Sequence, residues 1–173
     1  MAIINSGHLL QQADRLLKPR SNQLIIIRQA ERRRAISTAY YAVFHHVLRS
    51  VADQFVGPDE RRSPHYALAY RSVDHGKLET LCNAVGRENV NPKSKYAAYF
   101  PEGGFNIVLR EYAALLVDLK EKRNLADYDP SHWVRIVDAR NSIAAAREAI
   151  EKFGDAPENE KEIFLALLIF PPR

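Results

Sequence analysis

The 173-residue sequence has a single cysteine, Cys82. An intramolecular disulfide is therefore excluded, and so is a zinc site built on cysteines. No secretory leader is expected, because the start MAIINSGHLLQQADRLL has no basic segment running into an apolar one. The longest apolar stretch, IFLALLIF at 163–170, falls far short of the roughly 20 residues that a bilayer-crossing helix needs. Glycine is scarce as well, with seven residues. No Gly-rich phosphate loop can be drawn, and Gly103-Gly104 reads more economically as a hinge before a helix. Metal-ligand spacing of the H-E-x-x-H kind is missing. His45 and His46 are adjacent, so on a helix they point about 100° apart and cannot share one ion. No metal and no cofactor are expected. Internal repeats and low-complexity tracts are absent too.

What is present is the composition of an ordinary globular chain, 46% hydrophobic and 27% charged, which is wrong for disorder. The length suits one domain over 1–173, with 157–173 as an apolar C-terminal appendage. A chain of this size hides roughly 70% of its unfolded surface. A cytoplasmic location is the default expectation. The net charge is +4, and 17 of the 25 basic residues are arginine. Arginine suits bidentate phosphate contacts and stacking on bases, which leaves nucleic acid open as a partner. A solvated basic surface accounts for the same charge.

Helical patterning dominates. A short helix is expected from about Ser6 to Leu17, ended by Pro19. From about Asn22 to Val56 no glycine or proline interrupts the chain until Gly57-Pro58. Ile36, Tyr40, Val43, Phe44, Val47, Leu48, Val51 and Phe55 recur there with the helical period, which marks one long amphipathic helix. Ser63 and Pro64 read as N-cap and first helical position of a third helix. Asp74 can cap a fourth, carrying Leu78, Leu81, Cys82 and Val85. Residues 86–104 lose the pattern, and a loop this long is often functional. Val108, Tyr112, Leu115, Leu116 and Leu119 mark a fifth helix, bounded by Asp129-Pro130. Ser131 is expected to cap a sixth, with Ile136, Ala139, Ile143, Ala146, Ile150 and Phe153 inward. A short apolar helix closes the chain and should pack on the others or on a second subunit. The expected fold is all-α: an up-and-down antiparallel bundle of four to five main helices, with short extra N- and C-terminal helices.

Two places carry candidate chemistry. On the long helix Arg34, Thr38, Tyr41, His45 and Arg49 form a polar stripe opposite the apolar face. It reads either as solvated surface or as a contact face for phosphate and base. On the fifth helix Arg123 follows Leu119, Leu116 and Tyr112 at helical spacing, so its guanidinium continues an inward stripe and needs a partner. Asp127 and Asp129 are the candidates. One reading is an Arg–Asp pair pinning the helix end; the other is a cleft where Arg123 meets an anion.

The run Arg33-Arg34-Ala35-Ile36-Ser37-Thr38-Ala39-Tyr40-Tyr41-Ala42-Val43-Phe44-His45-His46, with Arg123-Asn124-Leu125-Ala126-Asp127-Tyr128 later, resembles the HEPN superfamily. The likeness is to the branch in which Arg and Ser precede a Tyr-Tyr-Ala-x-Phe segment and a later helix ends in R-x-x-A-D-Y. It implies a helical bundle that commonly pairs as a homodimer. Many members are RNases of toxin–antitoxin or defence systems, using an Arg, a polar residue and a following His. Others lack the His and act as binding or partner subunits, some beside a nucleotidyltransferase. Arg123 and Asn124 match the Arg-polar pair, but Tyr128 stands near the histidine's place and His132 lies beyond Pro130. A phenol of pKa about 10 is a poor proton acceptor at neutral pH. The expectation is thus a non-catalytic protein binding RNA, nucleotide or a protein partner, through Arg34, Tyr41, His45, Arg123 and Asn124, with no membrane involved. The alternatives are a metal-independent ribonuclease with a rearranged site drawn from Arg123, Asn124, Tyr128 and His132, and an interaction protein whose apolar tail forms the subunit interface.

Overall fold

The computed structural model describes residues 4–20, 24–88 and 91–172. Among them the secondary structure is all-helical: α1 (Ser6–Leu16), α2 (Ile25–Phe55), α3 (Pro64–Tyr70), α4 (His75–Val85), α5 (Ile107–Tyr128), α6 (Ile136–Asp155) and α7 (Glu158–Ile169). The expected start of the long helix, near Asn22, lies outside the described residues.

Local chemistry fixes most of the boundaries. The Asn5 side chain caps α1 by accepting from the Gly7 and His8 amides. Ser63 caps α3 with Pro64 behind it, and Asp74 accepts from the Lys77 amide to open α4. These are the caps expected of Ser, Asn and Asp, whose oxygens satisfy amides that the first turn leaves unpaired. Behind α2 the chain turns at Gly57, whose φ of 105° suits a residue without Cβ. Gly103 and Gly104 take φ of 80° and 86° and turn the chain toward α5.

One boundary differs from the sequence reading. Ser131 does not cap α6. Its amide and hydroxyl both donate to Asp129 Oδ1, closing a turn after α5. The chain then runs on without helix to Arg135, whose backbone and side chain bond with Asp138 in a capping box. Val134 explains the delay. Its amide and carbonyl pair with the Gln29 side chain at 3.1 and 2.8 Å in the interior. A buried backbone pair satisfied by one side-chain amide is a strong local hold.

The long helix is central, not merely two-faced. It packs against α1, α3, α5, α6 and α7. Ala35, Ala39, Tyr40, Val43, Val47 and Val51 are fully enclosed. Thr38, on the polar stripe, is buried and returns its hydroxyl to the Arg34 carbonyl. The first turn of α2 is open, with Leu24, Ile25, Ile26 and Ile27 exposed, and Arg34 and Phe55 are exposed farther along. The terminal helix α7 packs on α2 and α4 and buries Phe164, Leu165, Leu167 and Leu168. At about 1.5–3 kcal/mol per fully buried large side chain, α7 is an integral part of the core. No helix among the described residues is long and apolar enough to cross a membrane.

Candidate functional site: the seam between α2 and α5

Arg33, Ser37 and Tyr41 stand at i, i+4 and i+8, one helical face of α2. Each reaches the C-terminal end of α5 or the turn beyond it. Arg33 Nη1 donates to the Ala126 carbonyl at 3.1 Å, and Nη2 donates to the carbonyls of Asp129 and of His132, the latter at 2.7 Å. A helix C-terminus leaves its last carbonyls unpaired and carries partial negative charge, so a guanidinium is a fitting cap. Ser37 Oγ donates to Asp127 Oδ1. Tyr41 accepts from Arg123 Nη2 at 2.8 Å. The two motifs that carry the family resemblance thus meet each other in the fold.

Arg123 is the centre of the seam, with a side chain only 13% exposed. Its Nε lies 2.8 Å from Asp127 Oδ2, yet the N–H is not aimed at that oxygen. The contact is Coulombic, not a directed hydrogen bond. Nη1 donates to Asn124 Oδ1 at 3.1 Å. The guanidinium also lies over two rings, 5.4 Å from the Tyr41 centroid and 5.1 Å from that of Tyr128. Burial works against its charge, but the Tyr41 hydrogen bond, helped by Asp127 and Tyr128, outweighs it and holds the guanidinium protonated. Of its five N–H groups, the Nε–H and one on each Nη have no directed acceptor among the described residues. Asp127 is therefore the partner that the sequence required; Asp129 is taken by Ser131.

Beside this centre lies an aromatic and imidazole cluster. The Tyr40 hydroxyl is 2.7 Å from His75 Nδ1, and the His75 ring packs 3.9 Å from Phe44 and 5.8 Å from Tyr41. His45 stacks on Tyr41 at 6.1 Å, and its Nδ1 is 2.8 Å from the Tyr70 hydroxyl. Burial depresses the pKa of both imidazoles; His45 is pushed further by His75, and His75 by Arg123 and Lys120. Burial likewise raises both phenols, so they stay protonated. The arrangement that satisfies Tyr40 and His75 together has the phenol donating to Nδ1, which leaves the His75 proton on Nε2. In that arrangement the His75 ring offers a hydrogen-bond donor at Nε2.

Of the residues expected at the site, Tyr41, Arg123, Asn124 and Tyr128 come together, with His45 alongside Tyr41. Tyr128 is 71% exposed. Arg34 is exposed, with no side-chain partner among the described residues. The His132 side chain does not join them among the described residues; only its backbone carbonyl reaches the seam, accepting from Arg33. Three participants were not singled out from the sequence as site residues. Arg33 and Ser37 were visible in the i, i+4 spacing that ends at Tyr41. His75 carried no signal, since only the packing of α4 against α5 brings it beside Arg123. No cluster of metal-ligating side chains occurs among the described residues. In comparison with known proteins, no family model, no curated protein and no solved structure matches the chain.

Proposed function

We propose that the chain is a HEPN-like helical protein that binds single-stranded RNA without cutting it, through the face around Arg123 and Tyr128. The observation that carries this reading is the Tyr128 ring, stacked on the Arg123 guanidinium at one side and open to water at the other. An aromatic face beside a cation offers an unstacked base a platform and its phosphate a counter-charge. Arg34, unpaired on the same side of α2 as Tyr41, extends the positive charge. The hydrogen-bond donor at His75 Nε2 favours holding a phosphate over activating a ribose hydroxyl, which needs a free base. The seam contacts also support the up-and-down bundle of this reading, since Arg33 meets Ala126 while Tyr41 meets Arg123, in opposite chain directions. A homodimer belongs to the same proposal, with the exposed Leu24, Ile25, Ile26 and Trp133 as apolar surface.

Titration of labelled single-stranded RNA at low salt tests it. Binding should weaken steeply as salt rises, and Tyr128→Ala should weaken it about 10-fold, in line with roughly 1–3 kcal/mol per stacked base. RNA should remain intact. Absence of binding at low salt would sink the proposal. The Coulombic coupling of His75 to Arg123 favours ribonuclease activity as a second reading; RNA breakdown that stops in both His75→Ala and Arg123→Ala would establish it.

A further inference from the structure

Residues 91–105, ahead of α5, are built, not slack, and wall a cleft of about 400 Å³ against the C-terminal end of α4. Asn91 Oδ1 accepts from the Lys93 amide, the Ser94 amide donates to the Asn91 carbonyl, and the Tyr96 amide donates to Ser94 Oγ. Tyr96 is buried and stacks on Phe100 at 6.1 Å, and Phe100 meets Phe105 edge-on at 4.8 Å. The aromatic ladder thus ties the loop to the core and leaves Phe100, half-buried, as an apolar wall of the cleft.

The polar lining is one-sided. Arg87 and Lys95 are its charges, and Asn83, Asn91, Ser94 and Thr80 its neutral polar groups; no carboxylate takes part. Two other clefts of the protein carry acids beside their cations, Glu31 in one and Asp53 with Glu158 in another. Arg87 and Asn83 also border a neighbouring groove that holds Asp118 and Glu121, though neither acid pairs with Arg87. Arg87 has no ion pair or side-chain hydrogen bond among the described residues, and Asn83 has no amide partner there. The Lys95 ammonium lies 5.3 Å over the Tyr96 ring, with no anion beside it. Two cations that make no ion pair among the described residues, at one opening, select an anion, amides read hydrogen-bonding edges, and an aromatic wall accepts a planar ring. The volume lies within the roughly 300–1,000 Å³ of small-molecule sites.

We propose that this cleft binds a nucleoside monophosphate, with Arg87 and Lys95 on the phosphate and Phe100 against the base. The same phosphate–ribose–base unit occurs as a free nucleotide and as the 5′ end of an RNA strand. The site is separate from the Arg123 face: α4 alone places its Arg87 end about 15 Å from its His75 end, at 1.5 Å per residue. The proposal does not depend on the RNA reading of the seam.

Calorimetric titration of the full chain with AMP and UMP at low salt tests it. Saturable binding is expected, at least 10-fold weaker for adenosine or inorganic phosphate alone. The double variant Arg87→Glu, Lys95→Glu should lose at least 10-fold in affinity with an unchanged thermal melt, since both side chains are exposed. Tyr128→Ala should leave AMP affinity unchanged, which separates this site from the seam. A second arm compares one short RNA with and without a 5′-phosphate. A gain from the phosphate that disappears in the double variant assigns the cleft to RNA ends; AMP binding without that gain assigns it to free nucleotide. No binding of AMP, UMP or the 5′-phosphate at millimolar concentration overturns the proposal, and so does undiminished affinity in the double variant.

Discussion

The α2–α5 seam and the loop cleft at 91–100 both gather arginine or lysine, aromatic rings and amides, yet they treat charge in opposite ways. In the seam, Arg33 is committed to three backbone carbonyls, and Arg123 sits between Asp127, Asn124 and two tyrosines. In the cleft, Arg87 and Lys95 make no ion pair among the described residues, and no carboxylate is in its lining. The difference teaches that a cation is read by its partners, not by its residue type. Guanidinium groups enclosed with acceptors hold the fold together; those left without an anion are available to a ligand. Arg33 and Arg34 make the same point at adjacent positions, one capping α5 and the other standing in solvent.

Substitutions can break or sharpen this contrast. The largest effect is expected from Arg33→Ala, which strips three carbonyls at the end of α5 of their charged donor. A loss of about 3 kcal/mol in unfolding free energy is expected, from hydrogen bonds to charged groups at roughly 1.5–3 kcal/mol each with partial replacement by water. Urea unfolding measures it, and a loss below half of that would remove Arg33 as the clasp of the seam. Asp127→Asn comes next. It keeps an acceptor for Ser37 but leaves the Arg123 charge without its counter-ion. Breaking a well-buried pair costs roughly 3–5 kcal/mol; this carboxylate is 25% exposed, so about 2 kcal/mol is expected, again by urea unfolding.

A third test uses pH. Burial holds His45, His46 and His75 below the ordinary histidine value of 6.5. The unfolded chain therefore binds protons first as pH falls, and the stabilising contribution of the neutral imidazoles is fully present above pH 6.5 and lost as pH drops through their folded-state values. Melting temperature should decline on acidification below 6.5, and less so in His75→Gln. A flat profile through pH 5 would contradict enclosure of these rings. The smallest effect should come from Arg34→Ala and Arg87→Ala, each within about 0.5 kcal/mol of the parent in stability. If either destabilised as Arg33→Ala does, the distinction between the committed and the free cations would fail.

Much of the scaffold was legible in advance because caps and helical period are local. Ser63 and Asp74 act on amides three residues away, and Arg123 follows the inward stripe of its own helix. One reading failed for a long-range reason, and another was left open for one. Ser131 looked like a cap, but the Gln29 pairing with Val134 holds the chain out of helix until Arg135. The polar stripe of α2 read either as solvated surface or as a contact face; neighbouring helices enclose Thr38 and half-enclose Tyr41 and His45, while Arg34 stays exposed. Periodicity ranks the faces of a helix; it does not count how many neighbours will cover them.

By itself, then, the sequence determined the all-α class, most helix boundaries, the inward course of Arg123 and its need for an acid within one turn. The tertiary structure alone decided that Asp127 fills that need, that Arg33 closes the end of α5, that His75 joins the seam from a separate helix, and that the 91–100 loop walls a cleft without carboxylates. The physical reason is one of range. Hydrogen bonds to a capping oxygen and the 3.6-residue period are set by neighbours along the chain. Charge pairing, burial of an imidazole and the lining of a cleft depend on which distant segments are packed together.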